Sequence, residues 1–354
     1  MKEKTVLKLT SVAILILIIC VQFGCKKDND NTTTPKFVWA VGDTDTNNYA
    51  TIYFSTDGGQ TWERQGEDQA ALKGIGLNDV WAVDENTVWA VGTPARLIKT
   101  KNGGQDWEVV STPTLKNVIE YVSISIINKS SVWICGSYGT IIHSGDAGQT
   151  WDKHDSEVLK NNYLQGINAI TTNSIYVVGG PEDSDAGFIA FTTNGGHTWE
   201  ELIPADNYNS NRWIGCSSYN DDDIIIYGGR SHYMLSNDGG ATWKNDSVPN
   251  TGGTGGADIN CLKMLNGQTW WGAFDYDYIG RTSNSGDSWT KQQSEGPGGM
   301  WLLGIDYFDN DIGVIVGESS MSLNGKILNT IDGGNTWILS DTTDVHMIKV
   351  SFIK

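Results

Sequence analysis

Beyond residue 36 the apolar positions of this chain fall in short runs of about four to eight residues, rich in Val, Ile, Trp and Tyr and bounded by Gly, Asp, Asn and Ser. Runs of that length and composition predict β-strands. Residues 88–92 read VWAVG and are followed at 97–100 by LIKT. The same order returns at 132–136 with 140–144, 175–179 with 188–193, 224–228 with 233–236, and 313–317 with 326–330. A further apolar run opens most of these units, at 121–127, 164–170 and 301–308.

Each pair of runs leads into an eight-residue unit. It reads STDGGQTW ending at Trp62, TKNGGQDW at Trp107, SGDAGQTW at Trp151 and TTNGGHTW at Trp199. It returns as SNDGGATW at Trp243, TSNSGDSW at Trp289 and TIDGGNTW at Trp337, at intervals of 44 to 48 residues. All seven copies hold Ser or Thr first, Asp or Asn third, Gly fifth and Trp eighth. The third-position residues Asp57, Asn102, Asp146, Asn194, Asp238, Asn284 and Asp332 suit a tight turn, because their side-chain oxygen accepts backbone N–H groups. The fifth-position glycines suit positive φ. The tryptophan folds back as an apolar plug, worth about 1.5–3 kcal/mol where it is well buried. Although the unit is rich in Asp, Ser and Thr, it reads as a hairpin staple and not as a catalytic motif.

About four strands per period is the size of one propeller blade. The first unit starts at Phe37 directly with its second strand, and the chain ends on an opening-type strand at 347–353 that no unit follows. The C-terminal strand is therefore expected to complete the first blade and close the ring, which removes exposed sheet edges. The expected fold is all-β: a seven-bladed β-propeller of four-stranded blades over residues 37–354.

With that pattern set out, the eight-residue unit resembles the Asp-box, or bacterial neuraminidase repeat. The longer pattern, VWAVG and then an apolar strand into TxDGGxTW, is similar to that of the photosystem II stability/assembly factor-like family of seven-bladed propellers. The resemblance covers Phe37 to Lys354. It implies the architecture and a leaning towards binding proteins, since the same turn also serves hydrolases, receptors and assembly factors.

The 24 Lys and Arg against 42 Asp and Glu give a net charge of −18, which argues against binding nucleic acid or an anionic lipid surface by charge. At the start, Lys2, Lys4 and Lys8 precede an uncharged apolar run over residues 9–23, the layout of an export signal. Gly24-Cys25 resembles the lipobox of bacterial lipoproteins, with Gln22 where that family usually has Leu. This implies a signal peptide over 1–24, a lipid on Cys25, a polar tether over 25–36, and an address in the bacterial cell envelope, on the outer membrane. An uncleaved membrane anchor is the alternative. The remaining cysteines, 135, 216 and 261, are odd in number and lie in apolar strand runs, so they read as buried thiols.

In propellers of this type the Asp-box turns lie on one face, and ligands are usually met by the loops of the other. That second face is expected to collect Arg212, Trp213, Trp301, Tyr163, Arg230, His232, Asp275, Tyr276, Asp277 and Glu318, together with Glu182, Asp183 and Asp185. Aromatic platforms beside carboxylates suit a sugar, and Trp and Tyr are also favoured at protein interfaces. Residues 43–47 begin like a calcium loop, but Asn48 stands where the turn needs Gly and Phe54 where the bidentate Glu belongs. The histidines show no ligand spacing, and the Gly-rich stretch 250–256 lacks the strand–loop–helix context of a phosphate cradle. Neither a metal nor a cofactor is expected. Of Arg64, Arg96, Arg212, Arg230 and Arg281, only Arg212 and Arg230 are expected on the ligand side, too few for the three-arginine clamp of a sialidase. The reading is a non-catalytic, monomeric propeller that binds a protein partner and assists assembly of an envelope complex. A carbohydrate-binding or glycoside-hydrolysing propeller, using a pair among Asp275, Asp277, Glu318 and Glu182, is the alternative.

Overall fold

The computed structural model describes residues 35–113, 119–181, 184, 186–203, 212–249, 251, 256–292, 294, 299–319 and 324–353. The signal segment, Cys25, most of the tether, Glu182, Asp183, Asp185 and most of the 250–256 stretch lie outside the described residues.

The second strand of each unit has an apolar centre: Val38–Thr44, Val88–Thr93, Val132–Gly136, Ile175–Pro181, Asp223–Gly228, Trp270–Phe274 and Gly313–Ser319 are buried along nearly their whole length. The sheet architecture accounts for this. Each such strand lies between two partners of its own sheet and under a neighbouring sheet on either face, so it does not alternate as a half-exposed strand does. The seven sheets have four antiparallel strands each. Blades 2 to 7 run in chain order from the inner strand outwards, and begin with Gly76–Ala82, Tyr121–Ile126, Asn162–Ala169, Trp213–Ser218, Ile259–Met264 and Met300–Tyr307. Blade 1 takes its inner strand from the far end of the chain: Met347–Phe352 pairs with Val38–Thr44, with Phe352 opposite Val38 and Val350 opposite Ala40. The outermost strands are short and exposed, as at Asp152–Lys153 and Glu200–Glu201.

The core is a set of seams between blades. Trp39 and Val41 of blade 1 pack with Leu77, Val88 and Ala90 of blade 2, whereas Val38 and Ala40 pack with Val314 and Val316 of blade 7.

The Asp-box turns join third to fourth strands. In blade 1 the Ser55 hydroxyl donates to Asp57 Oδ1 at 2.8 Å and accepts the Gly59 N–H at 2.9 Å. Asp57 in turn accepts the N–H groups of Gln60 and Thr61 and the Thr61 hydroxyl. The pattern recurs around Asp146, Asp238 and Asp332. In the Asn copies the side-chain amide donates across the turn, to Asp106, Thr198 or Ser288. The fifth-position glycine is required twice over. Gly240 has φ +89°, and a Cβ there would run into the Tyr176 ring of the preceding blade; Gly148 and Gly334 face Trp89 and Trp271 in the same way. Each box thus bolts its blade to the one before. Trp107, Trp199 and Trp337 are buried, while Trp62, Trp151, Trp243 and Trp289 are half-buried.

Candidate functional site

Opposite the Asp-boxes, the turns between second and third strands and the links between blades make up the other face. Short, charge-assisted bonds fix its arc over blades 5, 6, 7 and 1. Arg212, just before the inner strand of blade 5, is exposed, and its carbonyl accepts the Gly229 N–H at 2.8 Å. Arg230 holds φ +57° in the following turn and gives its backbone N–H to Asp258 Oδ1 of blade 6 at 2.9 Å. Its side chain is left at the surface.

In blade 6, Asp275 accepts from Asn260 at 2.8 Å, and the same Asn260 amide reaches the Leu302 carbonyl of blade 7 at 2.9 Å. Burial raises the Asp275 pKa above the usual carboxylate range; the Asn260 bond opposes this and the neighbouring Asp258 adds to it. Tyr276 and Asp277 both hold positive φ, which turns the Asp277 carboxylate onto the N–H groups of Gly299 and, at 2.6 Å, Met300. Asp277 is therefore spent on positioning the entrance to blade 7. The next residue, Trp301, is 43% exposed, and Tyr276 is 63% exposed. Trp301 stands opposite Glu318 in the sheet, and Glu318 pairs with His346 on the approach to the inner strand of blade 1. Burial raises the Glu318 pKa, with the adjacent imidazole acting against it.

The face thus brings Arg212, Arg230, Asp275, Tyr276, Asp277, Trp301 and Glu318 into one bonded series. Trp213 has a different place. It is 1% exposed, packed against Tyr176, Val178 and Ile226 in the seam between blades 4 and 5, and offers no surface to a ligand. Tyr163 and His232 are partly buried, His232 opposite Ser247 at the start of a third strand.

Some residues of this face were not foreseen. Arg96 opens the third strand of blade 2, directly after a second-to-third-strand turn, and is exposed, so it joins Arg212 and Arg230 on this side. The brevity of that turn is the signal that places it. Ile119 and Tyr138 of blade 3 are 56% and 45% exposed nearby in the fold, with the Ile119 carbonyl accepting the Ala95 N–H. His346 lies in a link between blades and carries no sequence signal. Asp45, at the centre of the calcium-like segment, accepts the N–H groups of Asn47 and Tyr49 and bonds Arg64 at 2.5 Å, so its oxygens organise a turn.

The fold and the stapled turns define an Asp-box β-propeller. Among protein families, the model of the photosynthesis system II assembly factor YCF48 matches residues 27–116. A solved YCF48 bound to D1 peptide is similar to this chain at 18% identity and TM-score 0.57, covering 85% of each chain. YCF48 from Cyanidioschyzon merolae is similar at 15% identity and TM-score 0.61, over 84% of this chain and 96% of that one. A GH74 xyloglucanase from Xanthomonas campestris shares the fold at 14% identity and TM-score 0.61, over 86% of this chain and 56% of its own. No match was found among curated proteins. At these identities the solved structures speak for the fold.

Proposed function

We propose that this chain is a protein-binding propeller that assists assembly of a complex at the bacterial cell envelope, where a lipid on Cys25 holds it to the outer membrane. The observation that carries the reading is the arc of exposed Arg212, Arg230, Tyr276 and Trp301 on backbone fixed by Asp258, Asn260 and Asp277. A preorganised surface with aromatic and arginine anchors loses little entropy on binding, which is what a protein interface requires. The YCF48 structure bound to D1 peptide supports a peptide-binding use of this architecture. Lys36, the second described residue, donates its N–H to the Thr56 carbonyl and accepts from the Gly58 N–H, so the described chain begins against the Asp-box turn of blade 1.

A hydrolytic reading rests on the raised pKa values of Asp275 and Glu318. It is the weaker one, because Asp277 is bound to two amides and Glu318 is 8% exposed and paired with His346.

The test is a crosslinking pull-down from the native host with the lipidated protein and an Arg212→Ala/Trp301→Ala variant in parallel. A protein captured by the first and lost with the second is the expected result. Equal capture by both overturns the face. No protein with either, together with cleavage of a polysaccharide that Asp275→Asn abolishes, favours the hydrolytic reading.

A further inference from the structure

The inner strands enclose a central cavity of about 660 Å³. That volume is within the range of small-molecule pockets. Its mouth is on the Asp-box side, where Val83, Ile127, Ile170 and Tyr219 at the ends of the inner strands share the rim with Asn128, Lys129, Asn220 and Asp221. Deeper in, four successive blades supply charges of alternating sign: Lys263 from blade 6, Asp306 from blade 7, Lys349 from blade 1 and Asp79 from blade 2. In a protein of net charge −18, three lysines line one cavity; Lys129, at its rim, is paired with Asp84, and the deeper two, Lys263 and Lys349, call for an account.

The two acids are engaged in holding the ring. Asp306 accepts the Phe352 N–H at 2.9 Å; Asp79 accepts the Ile124 N–H at 3.0 Å and the Ser123 hydroxyl at 2.9 Å. Each carboxylate thereby ties one inner strand to the next. Burial works to lower the Lys263 pKa, but Asp306, with smaller contributions from Cys261 and Asp79, outweighs it and raises the value. Lys349 is partly buried and, among the described residues, makes no hydrogen bond or ion pair. An ammonium has three donors and no acceptor, so in a confined site it calls for an oxygen partner. Trp81 and Ile214 provide apolar wall beside these charges.

We infer that the central cavity is a binding site for an amphipathic organic carboxylate, its anionic head between Lys349 and Lys263 and its apolar body towards the rim of Val83, Ile127, Ile170 and Tyr219. The site is separate from the face proposed to bind a protein partner, and opens on the other side of the ring. It does not depend on that reading.

The probe is 4-phenylbutyrate, with its uncharged amide as the comparison, titrated calorimetrically into the full chain. The carboxylate is expected to bind at least tenfold more tightly than the amide. Lys349→Met keeps the apolar stem and removes the charge, and should weaken the carboxylate at least tenfold while leaving the amide unchanged. Lys263→Met is the second variant, with the unfolding midpoint of each variant checked against the parent. Equal affinity for acid and amide, no heat from either, or a folded Lys349→Met that binds the acid as the parent does overturns the inference.

Discussion

The backbone N–H of Phe352 donates to Asp306 Oδ2 at 2.9 Å across the seam between the last blade and the first. On the other side of the same strand, Ser351 Oγ accepts the Ala82 N–H of blade 2 at 3.1 Å. The C-terminal strand is thus bonded to blade 7, to its own blade and to blade 2, and the ring is closed by all three.

Removing this latch has a defined cost. Hydrogen bonds to charged groups contribute about 1.5–3 kcal/mol, so Asp306→Leu, which leaves the buried Phe352 donor unpaired, should destabilise by at least that amount in urea unfolding. An unchanged midpoint would show that the seam is held by apolar packing alone.

The glycine of the Asp-box makes a sharper case. Gly239 and Gly240 both have positive φ, +68° and +89°, yet only Gly240 faces the Tyr176 ring at close range. Gly239→Ala meets only the backbone penalty, ~1–2 kcal/mol. Gly240→Ala adds overpacking of ~1–3 kcal/mol and should unfold at a clearly lower midpoint. Equal losses would mean that the turn yields and the blade contact does not matter.

The four Asp-containing boxes predict an acid limb of stability. Bonds from the Thr150 hydroxyl and N–H hold the Asp146 pKa down to about 2, and Asp238 and Asp332 are lowered by the matching Thr242 and Thr336 bonds. A carboxyl lowered on folding contributes stability above its unfolded pKa, and that contribution is lost as pH falls through the folded value. Stability should therefore drop between about pH 4 and 2. Replacing Asp57, Asp146, Asp238 and Asp332 together by Asn, as blades 2, 4 and 6 already have it, should flatten that limb. NMR titration of the Asp146 carboxyl near its ordinary value would contradict the account.

Trp243 is half-buried and donates to the Gly240 carbonyl at 3.1 Å, on the side away from Arg212 and Trp301. Trp243→Ala should lower the unfolding midpoint of the propeller, with a loss of about 3 kcal/mol if the site does not collapse. Capture of a partner by the folded variant should stay as in the parent. Loss of capture by a protein that remains folded would move the binding face to the Asp-box side.

Much of this was legible in the sequence because the determinants are local and repeated. Ser55, Asp57, Gly59 and Trp62 lie within eight residues, so their bonds are written in a contiguous motif, and seven copies fix blade number and ring closure. The site is different, since it depends on which residues of non-adjacent segments meet. Trp213 looked like a platform next to Arg212, yet it occupies the position held by Leu77, Tyr121, Leu164, Ile259, Leu302 and Met347 at the start of the other inner strands, each of them buried. Alignment of the blades on one another would have placed it in the seam. Asp277 looked like a free acid, and only the positive φ at 276 and 277 shows its carboxylate turned onto the next blade. The Glu318–His346 pair joins the end of a second strand to a link 28 residues further on, which no local pattern records.

The most direct test of the proposed role replaces single residues by a photocrosslinking amino acid in the native host. One variant carries it at Tyr276, 63% exposed on the proposed binding face, and the other at Gln149, exposed in the Asp-box turn of blade 3. The account predicts a discrete protein adduct from position 276 and none from 149. Adducts from 149 alone, or none from 276 under conditions where the protein is folded and exported, would contradict it.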